Sequence, residues 1–140
     1  MDKWIVFAIV SMVFAGLTSV IAKIGLTGIS GEVGLVIRTC FVFALVGMFA
    51  LATVPRAELG ALSSHNWWWL GLSGLTTTAS WVFYYKALKL GEVSTVALID
   101  KGSFVVAVVL AWLILKEPIT LRVIAGATLI LAGLVVVARK

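Results

Sequence analysis

Apolar residues gather in five long runs separated by short polar breaks: 4–24, 33–54, 67–88, 93–115 and 121–138. Each is close to the roughly twenty residues that a helix needs to cross a bilayer core. The runs are continuous and lack the period-two alternation of a membrane barrel strand. Each therefore predicts a helix. The segment Gly25 to Gly31 carries three glycines and predicts a tight turn. Pro55 ends the second run, and Arg56 to Asn66 forms the longest loop. Trp67, Trp68 and Trp69 open the third run as an interfacial belt. The basic turn Lys89-Leu90-Gly91-Glu92 leads into the fourth run, which Lys116-Glu117-Pro118 stops, and Arg139-Lys140 close the fifth. The segment Met1-Asp2-Lys3 is barely positive for a leader, so the first run is expected to be a retained helix. Short connections make neighbouring helices antiparallel hairpins. The expected fold is an all-α integral membrane domain over 1–140, with five transmembrane helices joined by short loops.

Composition narrows the class further. Of 140 residues, 62% are hydrophobic and 12% charged, about half the charge of a typical soluble domain. Mean hydropathy is +1.17. A soluble fold could not hide so much apolar surface, and a disordered chain would not carry it. The one cysteine, Cys40, excludes a disulfide framework. Spans of this length leave no room for a soluble lobe, so no cofactor is expected. The one histidine, His65, lies in a loop, which leaves no cluster for a metal and no nucleophile–histidine–acid set. No P-loop or dinucleotide fingerprint is present. An enzyme is not expected. The net charge is +5, but the bases stand singly at the edges of the runs. Membrane lipid headgroups, and no nucleic acid, are their expected partners.

Five helices place the two termini on opposite sides of the membrane. The N-terminal side holds four bases, Lys3, Arg56, Lys116 and Arg122. The other side holds seven: Lys23, Arg38, Lys86, Lys89, Lys101, Arg139 and Lys140. That excess weakly places the C-terminal side in the cytoplasm. Yet Lys23, Arg38 and Lys101 lie inside runs, and without them the count is four against four. So flat a signal allows insertion in both orientations.

Three groups of residues could carry function. Small residues recur at helical spacing: Ser11, Ala15 and Ser19 in the first run, Ser103, Ala107 and Ala111 in the fourth, Gly126 and Gly133 in the fifth. Such stripes let backbones approach, either within one chain or, for Gly126 and Gly133, at a subunit interface. Embedded charges form the second group, because an ionisable group in the bilayer needs a partner or a wet cavity. Asp100 and Lys101 lie about 10 Å into the fourth run, and Arg38 a similar distance into the second. Neighbours on a helix diverge by about 100°. Asp100 is therefore expected to pair with Lys23 or Arg38, and Lys101 with a carbonyl, Glu32, Glu92 or a ligand. The set is either an ion-pair staple or a site for a polar or anionic substrate, with Asp100 as a proton-coupling carboxylate. The third group lies on the third run. Ser73, Thr77, Ser80 and Tyr84 form one stripe, with Gly74, Thr78, Trp81 and Tyr85 beside it. Hydroxyls and aromatic rings on one face suit either a pathway wall or helix-to-helix hydrogen bonding.

Several of these segments together resemble the EamA domain of the drug/metabolite transporter superfamily. They are Phe14-Ala-Gly-Leu-Thr18 leading to Ala22-Lys23-Ile-Gly25, Ile37-Arg-Thr39, Gly74-Leu-Thr-Thr-Thr-Ala-Ser-Trp81 with Tyr85-Lys-Ala-Leu-Lys-Leu-Gly91, Ile99-Asp-Lys-Gly-Ser103, and Leu115-Lys-Glu-Pro118. The resemblance spans the whole chain and is nearest to half-size members with a single five-helix domain. It implies one inverted-repeat unit of a ten-helix transporter, whose cavity lies between two repeats. A single repeat must find its second in another molecule. The flat charge count fits an antiparallel homodimer, and an inverted partner subunit would meet the same need. Many members carry a proline near the position of Ser103 or Phe104. Its absence here removes the usual cause of a kink. The related small multidrug resistance family exchanges protons for cationic drugs through a glutamate in its first helix, and no acid stands between Trp4 and Ile24. The embedded set Lys23, Arg38, Lys101 and Asp100 is net positive and points to an anionic or zwitterionic metabolite.

The expected function is that of a multi-pass transporter in the cell membrane, moving a small molecule by alternating access as a dual-topology homodimer. Its expected lining is Ser19, Thr77, Ser80, Trp81, Tyr84 and Ser103, and its expected charges are Lys23, Arg38, Asp100 and Lys101. The alternative is a non-transporting membrane subunit, or a half-transporter that pairs with a different inverted partner.

Overall fold

A computed structural model describes residues 2–138, and these are helical throughout apart from turns and short links. Arg139 and Lys140, expected to close the last helix, lie outside the described residues, as does Met1. Helix α1 covers Lys3–Gly25, α2 Gly31–Thr53, α3 Arg56–Gly60, α4 Ser64–Leu90, α5 Val93–Asp100, α6 Ser103–Leu110 and α7 Leu121–Ala138, with a π-helical turn at Ala111–Leu115. Among the described residues three stretches are long and apolar enough to cross a membrane: Lys3–Gly25, Gly31–Thr53 and Val93–Leu115. The last apolar helix, Leu121–Val137, is shorter. Helix α4 has 27 residues, but hydroxyls and a basic end dilute its apolar character. Five spans were expected, and the apolar length criterion supports three.

The chain folds as two compact units, Ile21–Leu90 and the remainder. In Ile21–Leu90 the link after α1 turns at Gly28, whose φ of 77° is the left-handed conformation that glycine adopts without strain. Ser30 then caps α2, its hydroxyl accepting the Val33 N–H at 3.2 Å. Helix α2 packs on α4 with the start of one beside the end of the other. The contact at Gly31 is between backbones: a Cβ there would lie 2.9 Å from the Tyr85 carbonyl oxygen. Leu26 and Leu88 are fully enclosed at this end of the hairpin, with Tyr85 beside them.

Arg56 to Asn66 holds more structure than a loop. Pro55 precedes the short α3. Asn66 and Ser63 then cap α4 reciprocally: the Ser63 N–H donates to Asn66 Oδ1 at 3.1 Å, and the Asn66 N–H to Ser63 Oγ at 3.3 Å. That closed pair is an N-terminal box, and it starts the helix three residues before the tryptophan belt.

In the other unit, the fourth apolar run is interrupted although it lacks a proline. Lys101 and Gly102 have ψ angles of −12° and −21°. The N–H of Lys101 reaches Leu98 O at 3.1 Å and that of Gly102 reaches Ile99 O at 2.9 Å. These are three-residue steps, a 3₁₀ tightening in mid-helix. Glycine suits the spot, because a Cβ at Gly102 would sit 3.0 Å from Ile99 O and 3.1 Å from Leu134 Cδ1 of α7. The far end widens instead. The Glu117 N–H reaches back to Ala111 O at 3.2 Å, and Lys116 takes a left-handed φ of 55° just before Pro118.

Very little apolar surface is covered within the chain. Among the described residues the enclosed hydrophobic side chains are Leu26, Tyr85 and Leu88. Leu51, Phe43 and Trp68 are 90%, 81% and 80% exposed. Such a surface is stable only against lipid or another apolar surface.

Candidate functional site

The best-defined cluster of polar groups lies between α2 and α4, within Ile21–Leu90. Arg38 is seven residues beyond Gly31, on the same face of α2. The close backbone contact at Gly31 therefore sets where the guanidinium meets α4. It lies over Trp81, with its carbon 4.2 Å from the ring centroid, and 5.9 Å from the Tyr85 ring. Trp81 and Tyr85 are four apart and so share a face of α4. Tyr84 meets Tyr85 edge-on, with ring centroids 6.5 Å apart. Arg38 Nη1 is buried and has no hydrogen-bond partner among the described residues. Within Ile21–Leu90 no carboxylate lies within ion-pair reach of Arg38.

The basic residues around this cluster are occupied otherwise. Lys86 pairs with Glu32 at 3.5 Å on the outer side of the hairpin. Lys23 donates from Nζ to the Leu88 carbonyl. Lys89 donates from Nζ to the Leu26 carbonyl at 3.1 Å. Each lysine thus reaches a carbonyl at the C-terminal end of the other's helix, where the dipole is negative and carbonyls lack helical partners. Lys23→Met keeps the stem but leaves the acceptor beside the enclosed Leu88 unpaired. The expected loss is about 1–3 kcal/mol, read as a lower midpoint in SDS-induced unfolding, whereas Lys3→Met at the outer end of α1 should leave the midpoint unchanged.

The other expected site residues are distributed as follows. Ser19 is buried, and its hydroxyl donates to Ala15 O at 3.1 Å. Thr77 is exposed and donates to Ser73 O at 2.8 Å, so this hydroxyl serves its own helix. Ser80 is exposed on the same stripe. Asp100 and Lys101 meet at 3.8 Å, contrary to the expectation that adjacent residues could not pair. The four-carbon lysine stem bends back across the divergence, and the tightened turn lies at this point. Glu32, considered as an acceptor for Lys101, instead holds Lys86. Ser103 is exposed at the start of α6. At Gly126 and Gly133 a Cβ would meet no atom within 4 Å among the described residues, so this face of α7 is open.

Sequence reading placed Tyr85 beside Trp81 on the possible lining face, but missed Gly31, Lys89 and the Glu32–Lys86 pair as parts of this site. Trp81 and Tyr85 at four-residue spacing, opposite a lone arginine, were the signal for the cluster. No sequence signal identifies a backbone carbonyl as the acceptor of a lysine.

Among the described residues no group of three or more histidine, cysteine or acidic side chains could hold a metal ion. The arrangement is a guanidinium held against two aromatic rings of α4.

The model of the EamA-like transporter family matches residues 2–139. A Sinorhizobium protein named "Uncharacterized transporter in cobO 3'region" is 36% identical over 137 residues, covering 98% of this chain and 97% of that protein. No solved structure matches the chain.

Proposed function

The chain belongs to the EamA-like transporter family, and on that premise we propose that it is a half-size secondary transporter that works as an antiparallel homodimer in the cell membrane. Helices α4 and α7 serve as two further spans, which makes five. Two copies of opposite orientation then supply the two inverted repeats around a midplane cavity, and rocking of one bundle against the other exposes that cavity to each side in turn. The observation that carries this reading is the uncovered surface of a single chain. Among the described residues the Thr77–Ser80 stripe is exposed and the Gly126–Gly133 face is open, and hydroxyl and small-residue faces in a bilayer belong against protein or water rather than lipid. The flat distribution of basic residues supports dual insertion. The pathway is lined by Ser19, Thr77, Ser80, Trp81, Tyr84 and Ser103, with Lys23, Arg38, Asp100 and Lys101 supplying charge. Their net positive balance favours a small anionic or zwitterionic metabolite.

The topology of the C-terminus tests the proposal. Cys40 is replaced by serine, one cysteine is added after Lys140, and native membranes are labelled from each side with an impermeant thiol reagent. Comparable labelling from both sides is the expected result. Labelling from one side alone would replace the homodimer with a pair formed with a different inverted partner, or with a non-transporting subunit.

A further inference from the structure

We infer that Arg38, held against Trp81 and Tyr85, is the residue that binds the carboxylate group of a monoanionic or zwitterionic solute; this rests on the transporter reading above and assigns the ligand chemistry of its site. The argument begins with charge. Arginine stays protonated at any physiological pH. Arg38 lies about 10 Å along α2 from Gly31, in a stretch long and apolar enough to cross a membrane. An ion at such a depth requires a partner. The residues of Ile21–Leu90 offer it aromatic faces and no carboxylate, and Nη1 has no acceptor among them. Glu32, the acid nearest in sequence, is paired with Lys86. The missing counter-ion must therefore come from outside this set.

The stacking geometry narrows its chemistry. Trp81 covers one face of the guanidinium, which leaves the N–H edge as the recognition surface. That edge matches a carboxylate, which accepts two parallel N–H bonds in the guanidinium plane. A single uncompensated positive charge is neutralised by one negative charge. A phosphate dianion would carry a second charge into the same low-dielectric position, at a further desolvation cost. Trp81 and Tyr85 also offer ring surface to the apolar body of the solute. Because Nη1 is enclosed, the carboxylate gains it as the ring contact loosens, so Trp81 both positions the guanidinium and screens it while the site is empty.

The test uses the full chain in lipid nanodiscs with radiolabelled benzoate, a planar carboxylate with an aromatic body, and inorganic phosphate as competitor. Benzoate is expected to bind saturably, and a hundredfold excess of phosphate is expected not to displace it. Arg38→Gln should weaken binding about tenfold or more, as loss of a charged hydrogen-bond partner does. Arg38→Lys keeps the charge without the fork and should recover only part of it. Circular dichroism and elution volume establish that each variant is folded, and the lysine variant serves as the readout if the glutamine variant is not. Full binding in folded Arg38→Gln, or full binding in Arg38→Lys, would overturn the assignment, as would efficient displacement by phosphate. Absence of saturable binding to the parent chain would overturn it as well. Flux in proteoliposomes separates this outcome from the transport reading. Arg38-dependent binding without benzoate flux keeps the site and removes transport of this solute, whereas flux that survives Arg38→Gln keeps transport and removes the site.

Discussion

Replacing Gly31 with leucine is expected to remove folded protein from the membrane. At this position a Cβ alone would lie 2.9 Å from the Tyr85 carbonyl oxygen, 3.1 Å from its carbonyl carbon and 3.3 Å from the Lys86 nitrogen. All three are backbone atoms of α4, so no side-chain rotation relieves the clash. Helices α2 and α4 would have to separate. Separation moves Arg38 off Trp81 and uncovers Leu26 and Leu88, which are 2% and 0% exposed in the native chain. Overpacking usually costs about 1–3 kcal/mol, and here it falls on a chain with few other enclosed side chains to hold it. Gly31→Ala should give a partial version, with a lower SDS midpoint and retained expression. Gly74→Leu is the matched control, since a Cβ at Gly74 meets no atom within 4 Å among the described residues. If Gly31→Leu folds as well as Gly74→Leu, the close approach of α2 to α4 does not hold the hairpin together.

Loss of transport without loss of fold is the expected result for Asp100→Asn. The Asp100–Lys101 pair spans 3.8 Å, with side chains 37% and 56% exposed. A partly exposed pair contributes about 0–1 kcal/mol, so stability should change little. Flux of a carboxylic acid in proteoliposomes should fall to background if Asp100 is the coupling carboxylate of the proposed cycle. The exchange Asp100→Lys with Lys101→Asp distinguishes coupling from stapling. It keeps the ion pair but moves the carboxylate about 100° around the helix. A coupling role predicts that the exchanged protein stays inactive. Restored flux would mean that the pair itself, rather than the position of the acid, is what matters. Parental flux in Asp100→Asn would remove Asp100 from the mechanism.

How much of this was legible in the sequence depends on the range of the interaction. The helical segments follow from local apolar runs, and Gly28 marks its own turn. The start of α4 lay earlier than its tryptophans indicate, because Ser63 and Asn66 form a cap whose worth depends on geometry. Arg38, Trp81, Tyr84 and Tyr85 were recognisable as chemically notable. Their neighbours were not, because the register of α2 on α4 is set by a single glycine whose environment lies more than fifty residues away. The Asp100–Lys101 pair illustrates a different failure. Cβ directions on a helix diverge, but a lysine ammonium is carried far from its Cβ. The interruption at Gly102 was unexpected for the same kind of reason: proline is one cause of an irregular helix, and a tight contact with Leu134 on a neighbouring helix is another.

The crossed lysine contacts between α1 and α4 also bear on how the chain is made. They join residues 65 and 63 positions apart. A ribosome adding roughly 5–20 residues per second needs several seconds to cover that distance. During that interval α1 and α2 have been made, while the Leu88 carbonyl has not. Synthesis of α4 then supplies the carbonyl that allows the end of α1 to be sealed. These contacts therefore close only after α4 has been made.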